Sequence, residues 1–248
     1  MKIVIAGAGE MGSHLAKMLS GSSHDITVID SDPKLLAEVS SLADVITVEG
    51  EVTVADSADA AKLAAASSIV LADGSTLSYT APDALVLNAD VSGAGVFSAV
   101  GSGEVTLSGD NSGLTAPGHF EFSSTPVVVT SETGLGGGAS GEATFNGNVT
   151  NGMLRFIGES SVFTNYAPIV MKTKGNSSFY FGSGSPDVYL VQNASFAACT
   201  DGENHLYFKH NVEFINGTFE VNSHARLHHE GTGTVRLGGG VNAVLGET

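Results

Sequence analysis

Two hydrophobic rhythms run along the chain, and the change from one to the other divides it. Lys2–Ala6 (KIVIA) is an apolar, β-branched run, after which Met11, Leu15, Met18 and Leu19 recur at helical spacing. Asp25–Asp30 (DITVID) is strand-like again. Leu35, Leu36, Val39 and Leu42 form a second helical stripe, and Asp44–Glu49 (DVITVE) a third strand. Gly21-Ser22-Ser23 stops the first helix. Pro33 opens the second, where the amide proton it lacks would have no partner. Strand, helix, strand, helix, strand over residues 2–49 predicts parallel pairing through right-handed crossovers.

Past residue 69 the period falls to two. Leu77-Ser78-Tyr79, Val105-Thr106-Leu107, Phe120-Glu121-Phe122, Phe179-Tyr180-Phe181, Leu206-Tyr207-Phe208 and Val235-Arg236-Leu237 all read apolar–polar–apolar, with Gly, Asn, Asp and Ser between them. Short strands at this spacing, three to a turn of about 25–30 residues, predict a right-handed parallel β-helix, that is, a β-solenoid. Between the two regimes, Ala58, Ala60, Ala61, Leu63 and Ala64–Ala66 favour a helix. The SIVLA that follows, residues 68–72, is either a fourth parallel strand or the first rung of the repeats. The ADGSTLSY after it leans toward the second. The expected fold class is thus α/β plus all-β: a partial βαβαβ Rossmann unit over residues 1–53, an Ala-rich junction helix over 54–68, and solenoid repeats over 69–248.

The first turn carries chemistry. Gly7-Ala8-Gly9-Glu10-Met11-Gly12 fits G-x-G-x-x-G between a strand and a helix. Gly7 permits the tight turn, Gly9 lets backbone approach a pyrophosphate, and Gly12 lets the helix pack on the strand. The amides of Glu10, Met11 and Gly12 open the helix, and its positive end faces the phosphates. Asp30, 18 positions beyond Gly12 at the tip of the second strand, suits both hydroxyls of an adenosine ribose and repels the 2′-phosphate of NADP.

These residues carry a family likeness. Residues 1–53 resemble the TrkA family, the cytosolic RCK (KTN) regulators of bacterial potassium uptake. Gly7, Gly9, Gly12 and Asp30 fall on that family's loop glycines and ribose acid. Where members continue with Gly-Asp, a small residue and Ser/Thr, this chain reads Gly50-Glu51-Val52-Thr53. The resemblance implies an NAD(H)-binding, non-enzymatic segment partnered with a potassium-uptake membrane subunit. A second likeness lies in residues 101–137, whose Gly101, Gly103, Val105, Leu107, Ser108, Gly109 and Asn111 resemble the autotransporter-associated β-strand repeat of bacterial surface proteins. Residues 141–158 are similar. This implies stacking units of a secreted passenger. Together the two predict a chimera: a nucleotide-binding regulatory segment of the Trk type joined to a structural solenoid. The alternative is a surface or adhesin passenger fragment without nucleotide function.

Composition narrows the partners. A net charge of −16 argues against nucleic acid and anionic membrane surfaces. A lone cysteine, Cys199, excludes an internal disulfide and has no evident base beside it. No run reaches transmembrane length, and the amino terminus lacks the pattern of a signal peptide, so the chain as written is expected in the cytosol and its solenoid alternatively at the cell surface. His205, His210, His224, His228 and His229 with Glu230 match no zinc spacing, so no metal is expected. The sequons at Asn148, Asn176, Asn193 and Asn216 are ordinary for this composition. At the carboxyl end, Gly238-Gly239-Gly240 and a short tail follow Leu237 without a cap, which predicts an end that is frayed or that self-associates.

Overall fold

The computed structural model describes residues 2–22, 24–30, 32–49, 52–101, 103–146, 152–172, 178–185, 187–198, 204–222, 225–230 and 232–245. Its first elements follow the helical and strand stripes: β1 (Lys2–Ala6), α1 (Glu10–Ser20), β2 (Asp25–Asp30), α2 (Pro33–Leu42) and β3 (Ile46–Glu49). Asp32 caps α2, its side chain accepting from the amide of Lys34 at 2.8 Å, with Pro33 at the first turn. Alternate residues of the strands, Ile3 and Ile5 with Ile26 and Val28, pack against Ala16 of α1 and Leu36 and Val39 of α2 in one buried cluster. Met11 and Met18 are exposed, at 63% and 62%. The buried face of α1 is Gly12 and Ala16, because the helix lies too close to its strand for long side chains.

Three further elements settle the junction: β4 (Val52–Val54), α3 (Ser57–Ala64) and β5 (Ser68–Leu71). β5 pairs in parallel with β1, Val4 opposite Ile69 and Ala6 opposite Leu71. The sheet therefore grows on both sides of β1, and it is not limited to the three strands of a βαβαβ unit. The chain continues as β6 (Thr76–Tyr79), β7 (Leu85–Leu87) and β8 (Asp90–Gly93), then β9 (Val96–Val100) and β10 (Val105–Leu107), then β11 (His119–Ser123) and β12 (Val127–Val129). Next come β13 (Ala143–Asn146), β14 (Gly152–Phe156) and β15 (Val162–Asn165), followed by β16 (Ile169–Lys172), β17 (Ser178–Ser183) and β18 (Tyr189–Gln192). The last are β19 (Phe196–Ala198), β20 (Asn204–Lys209), β21 (Asn211–Val221), β22 (Ala225–Glu230) and β23 (Val235–Leu245).

The strand order of the first sheet is β3-β2-β1-β5-β8. β5 is therefore both of the things the sequence left open. It is the fourth strand of the nucleotide-type sheet, and through its pairing of Ile69 with Val91 it is also the support of the next layer. Two longer sheets follow. One runs from β7 through β10, β12, β14, β17 and β20 to β22; the other passes from β4 through β6, β9, β11, β13, β16 and β19 to β21. β21 is long enough to pair with β18 through Asn211–Phe214 and with β19 through Phe219–Val221. Among the described residues every ladder is parallel, and beyond the first three strands, the pairing of β5 with β1 apart, each joins segments 20 to 27 positions apart, such as Leu85 with Val105 and Val162 with Tyr189. The spacing is somewhat tighter than the period of 25–30 expected from the strand clusters.

The layers share one apolar interior that begins at Ala6, Ile69 and Leu71 and continues to Val221. Aligned phenylalanines form its spine: Phe97 lies 5.5 Å from Phe120, Phe122 is 5.2 Å from Phe145, and Phe181 is 5.9 Å from Phe208. Buried amides satisfy backbone where turns enter this interior. Asn111 accepts from the amide of Val91 and donates to the carbonyl of Gly134, both at 2.7 Å. Asn165 donates to Gln192 at 2.8 Å one layer on. At the carboxyl end the strand continues through Gly238-Gly239-Gly240 to Leu245, where a short tail was expected.

Candidate nucleotide site

The loop between β1 and α1 sits where the sheet changes direction, at the carboxyl ends of β1 and β5. In doubly wound sheets this crevice is where ligands lie. Gly7 has φ +102°, and a Cβ on it would stand 2.6 Å from the Cβ of Ala72 in the turn after β5. Its amide donates to the carbonyl of Ile29 at 2.7 Å. Gly12 is still more constrained, since a Cβ there would stand 1.9 Å from the carbonyl oxygen of Gly7. Gly9 is different in kind. A Cβ on it would meet nothing within 4 Å, so its lack of a side chain leaves open space at the loop tip.

Gly9 is the N-cap of α1 and no side chain caps the helix. Glu10 and Met11 are exposed there and Gly12 is buried, so the first-turn amides and the positive helix end are presented at the loop. Asp30, half-buried at the tip of β2, ties the loop to its strand. One carboxylate oxygen accepts from the amide of Ala8 at 2.5 Å and the other from the amide of Asp32 at 2.8 Å. The structure thus brings all six expected residues, Gly7, Gly9, Glu10, Met11, Gly12 and Asp30, into one loop and its neighbouring strand tip. Two contributors were missed. Ser13 holds the loop from inside the helix, its hydroxyl 2.7 Å from the carbonyls of both Ala8 and Gly9. The turn at Ala72–Ser75 forms the far wall, with the Ser75 hydroxyl donating to the carbonyl of Ala72 at 2.7 Å. The hydroxyl following Gly12 was a legible signal, whereas the second wall depended on where β5 pairs.

Comparison with known proteins gives a bounded answer. Residues 3–87 match the TrkA-N domain. The matched region runs from β1 to the end of β7, so it includes β5 as well as the glycine loop. Over 50 residues the chain is 46% identical to the Trk system potassium uptake protein TrkA of Halomonas elongata. That stretch is 20% of this chain and 11% of the relative, so the chain spans only a small part of the curated protein it matches. No solved structure matches the chain.

The other candidate residues are spread through the later strands. His205 and His228 stack, centroids 4.9 Å apart, with a 2.7 Å hydrogen bond between their rings, and Tyr207 lies 4.6 Å from His228. His229 is 2.9 Å from the carbonyl of His210 through Nε2. Glu230 pairs with Lys209 at 2.7 Å. Among the described residues no group of three His, Cys, Asp or Glu is placed to hold a metal ion. Asn193 and Asn216 hydrogen-bond to each other at 2.6 Å. Gly50, Glu51, Asn148, Asn176, Cys199 and His224 lie outside the described residues. Among the described residues no helix is long and apolar enough to cross a membrane.

Proposed function

We propose that the amino-terminal α/β unit is a regulatory sensor that binds NAD(H), or another adenine nucleotide, without hydride chemistry. The observation that carries this reading is the pairing of an open glycine at the loop tip with a carboxylate hydrogen-bonded across to that loop. The pyrophosphate lies over Gly9, against the amides of Glu10, Met11 and Gly12. Asp30 faces the adenosine ribose, each of its oxygens keeping a second lone pair for a hydroxyl, and it disfavours a 2′-phosphate. The bound dinucleotide would supply a redox-state signal. The chain's own contribution is to bind and orient it.

The match to the TrkA-N domain supports a further step: a cytosolic regulatory role beside a membrane potassium-uptake subunit. In the same proposal, residues 69–248 are a right-handed β-solenoid with a structural task, and the whole is a fusion. The parallel ladders and shared interior support the solenoid. A second reading, a surface passenger fragment of the autotransporter type with no nucleotide function, is favoured by the share of the chain given to those ladders.

Calorimetry with NADH, NADPH and ATP tests the first reading. NADH should bind more tightly than NADPH, and Asp30→Ala should weaken it at least tenfold, about 1.4 kcal/mol. An unaltered chain that takes up neither NADH nor ATP refutes the sensor. Sequencing the transcript across codons 50–70 addresses the fusion: separate transcripts on either side of that segment would refute it.

A further inference from the structure

The α/β sheet is packed differently on its two faces. Toward α1 and α2 the space is filled by Leu36, Val39 and their neighbours. On the opposite face a cavity of about 260 Å³ remains between the sheet and α3. Val4, Ala6 and Ile69 form its floor, and Leu63 and Ala66 its roof. The cause lies in the sequence of α3, SADAAKLA, which turns Ala60, Leu63 and Ala64 toward the core. Alanine ends at Cβ, so most of the gap between helix and sheet stays unfilled.

The space is a cleft that opens to solvent on one side, and its volume and mostly apolar lining suit a fused two-ring molecule lying against the sheet. The charged groups on its lining are Asp59 and Lys62, paired with each other at 2.6 Å. Lys62 uses one oxygen of Asp59, and the other remains an acceptor at the rim. We propose that this cavity binds a small, flat, uncharged aromatic molecule of indole size, its ring between sheet and helix and its single N–H or O–H donor directed to Asp59. Its lining is the sheet face away from α1, and it adjoins the glycine loop only through Ala6, next to Gly7, and Ile29, next to Asp30.

The chain contains no tryptophan, so indole fluorescence can be followed directly. Titration without nucleotide should give a saturable, one-to-one blue shift. Ala66→Phe fills the cavity from the roof and Val4→Phe from the floor. Each should weaken indole at least tenfold, whereas Leu237→Lys, far along the stack, should leave the isotherm unchanged. 1-Methylindole, which lacks the donor, should bind several-fold more weakly. No saturable shift overturns the site. So does unchanged affinity in both filled variants when circular dichroism shows them folded. Equal affinity for 1-methylindole overturns the role of Asp59. Because no nucleotide is present, the sensor proposal and this one stand or fall independently.

Discussion

Gly9 and Gly12 lie three residues apart and answer to different forces. At Gly12 an added methyl would press on the carbonyl of Gly7, a rigid backbone atom in a buried place. Gly12→Ala should therefore cost about 2 kcal/mol of stability, the usual scale of overpacking, and lower the denaturation midpoint with or without ligand. Gly9 has φ −62° and ψ −170°, which alanine adopts freely, and there is open space around it. Gly9→Ala should leave the midpoint nearly unchanged and weaken NADH, because the methyl would occupy the place of the phosphate. A large stability loss at Gly9, or unaltered NADH binding, would contradict this division. At this scale the sequence was informative about geometry: the glycine motif and the distance to Asp30 marked residues that the structure brings together at one loop and strand tip. It could not reveal that Asp30 also holds the amide of Ala8, since that bond requires β1 and β2 to be adjacent and in register. Nor could it tell that Met11 and Met18 face outward, because helical spacing marks a stripe without saying how close the helix approaches its strand.

Among elements, β5 best shows what pattern reading lacks. Four apolar-leaning residues can serve either side of a boundary, and only pairing partners decide. Here β1 lies on one side and β8 on the other. The later strands were legible as strands because alternation records one buried face. Their neighbours were not, since each partner sits 20 or more positions away and is chosen by tertiary packing. β23 was partly hidden for a related reason: three consecutive glycines read as a break, yet the backbone still pairs along β21. The phenylalanine spine makes one element-level expectation direct. Phe181 is buried against Phe156, Phe196, Phe208 and Phe214. Phe181→Ala should cost about 4 kcal/mol, read by chemical denaturation. Phe181→Leu should recover most of that loss. A change below about 1 kcal/mol for the alanine would mean that the interior collapses readily around the gap.

For the molecule as a whole, the ends of the stack differ. The amino-terminal end is covered by α3 and the α/β sheet. At the other end, Val235, Leu237 and Leu245 continue the rows of Val212, Phe214 and Val221. Those three partners are buried, whereas Leu237 is 49% and Leu245 67% exposed. Interior rows thus run out into solvent. The 248-residue chain should self-associate by light scattering, more strongly as salt screens its charge of −16. The double variant Leu237→Lys, Leu245→Lys should be monomeric. A monomer at every concentration and salt level would show that this end does not recruit a second chain.

The two-sided pairing of β5 has a mechanical consequence. In a stack whose layers hold mainly to their neighbours, a pull along the axis concentrates on the outermost unsupported layer, which peels before the next is loaded. Among the described residues β22 and β23 are that layer, so traction on this chain would unzip it from there in successive small releases. The load would reach β5 only after the others had parted, because β5 is the strand that joins β1 to β8. The glycine loop would thus keep its shape while most of the stack had already been drawn out.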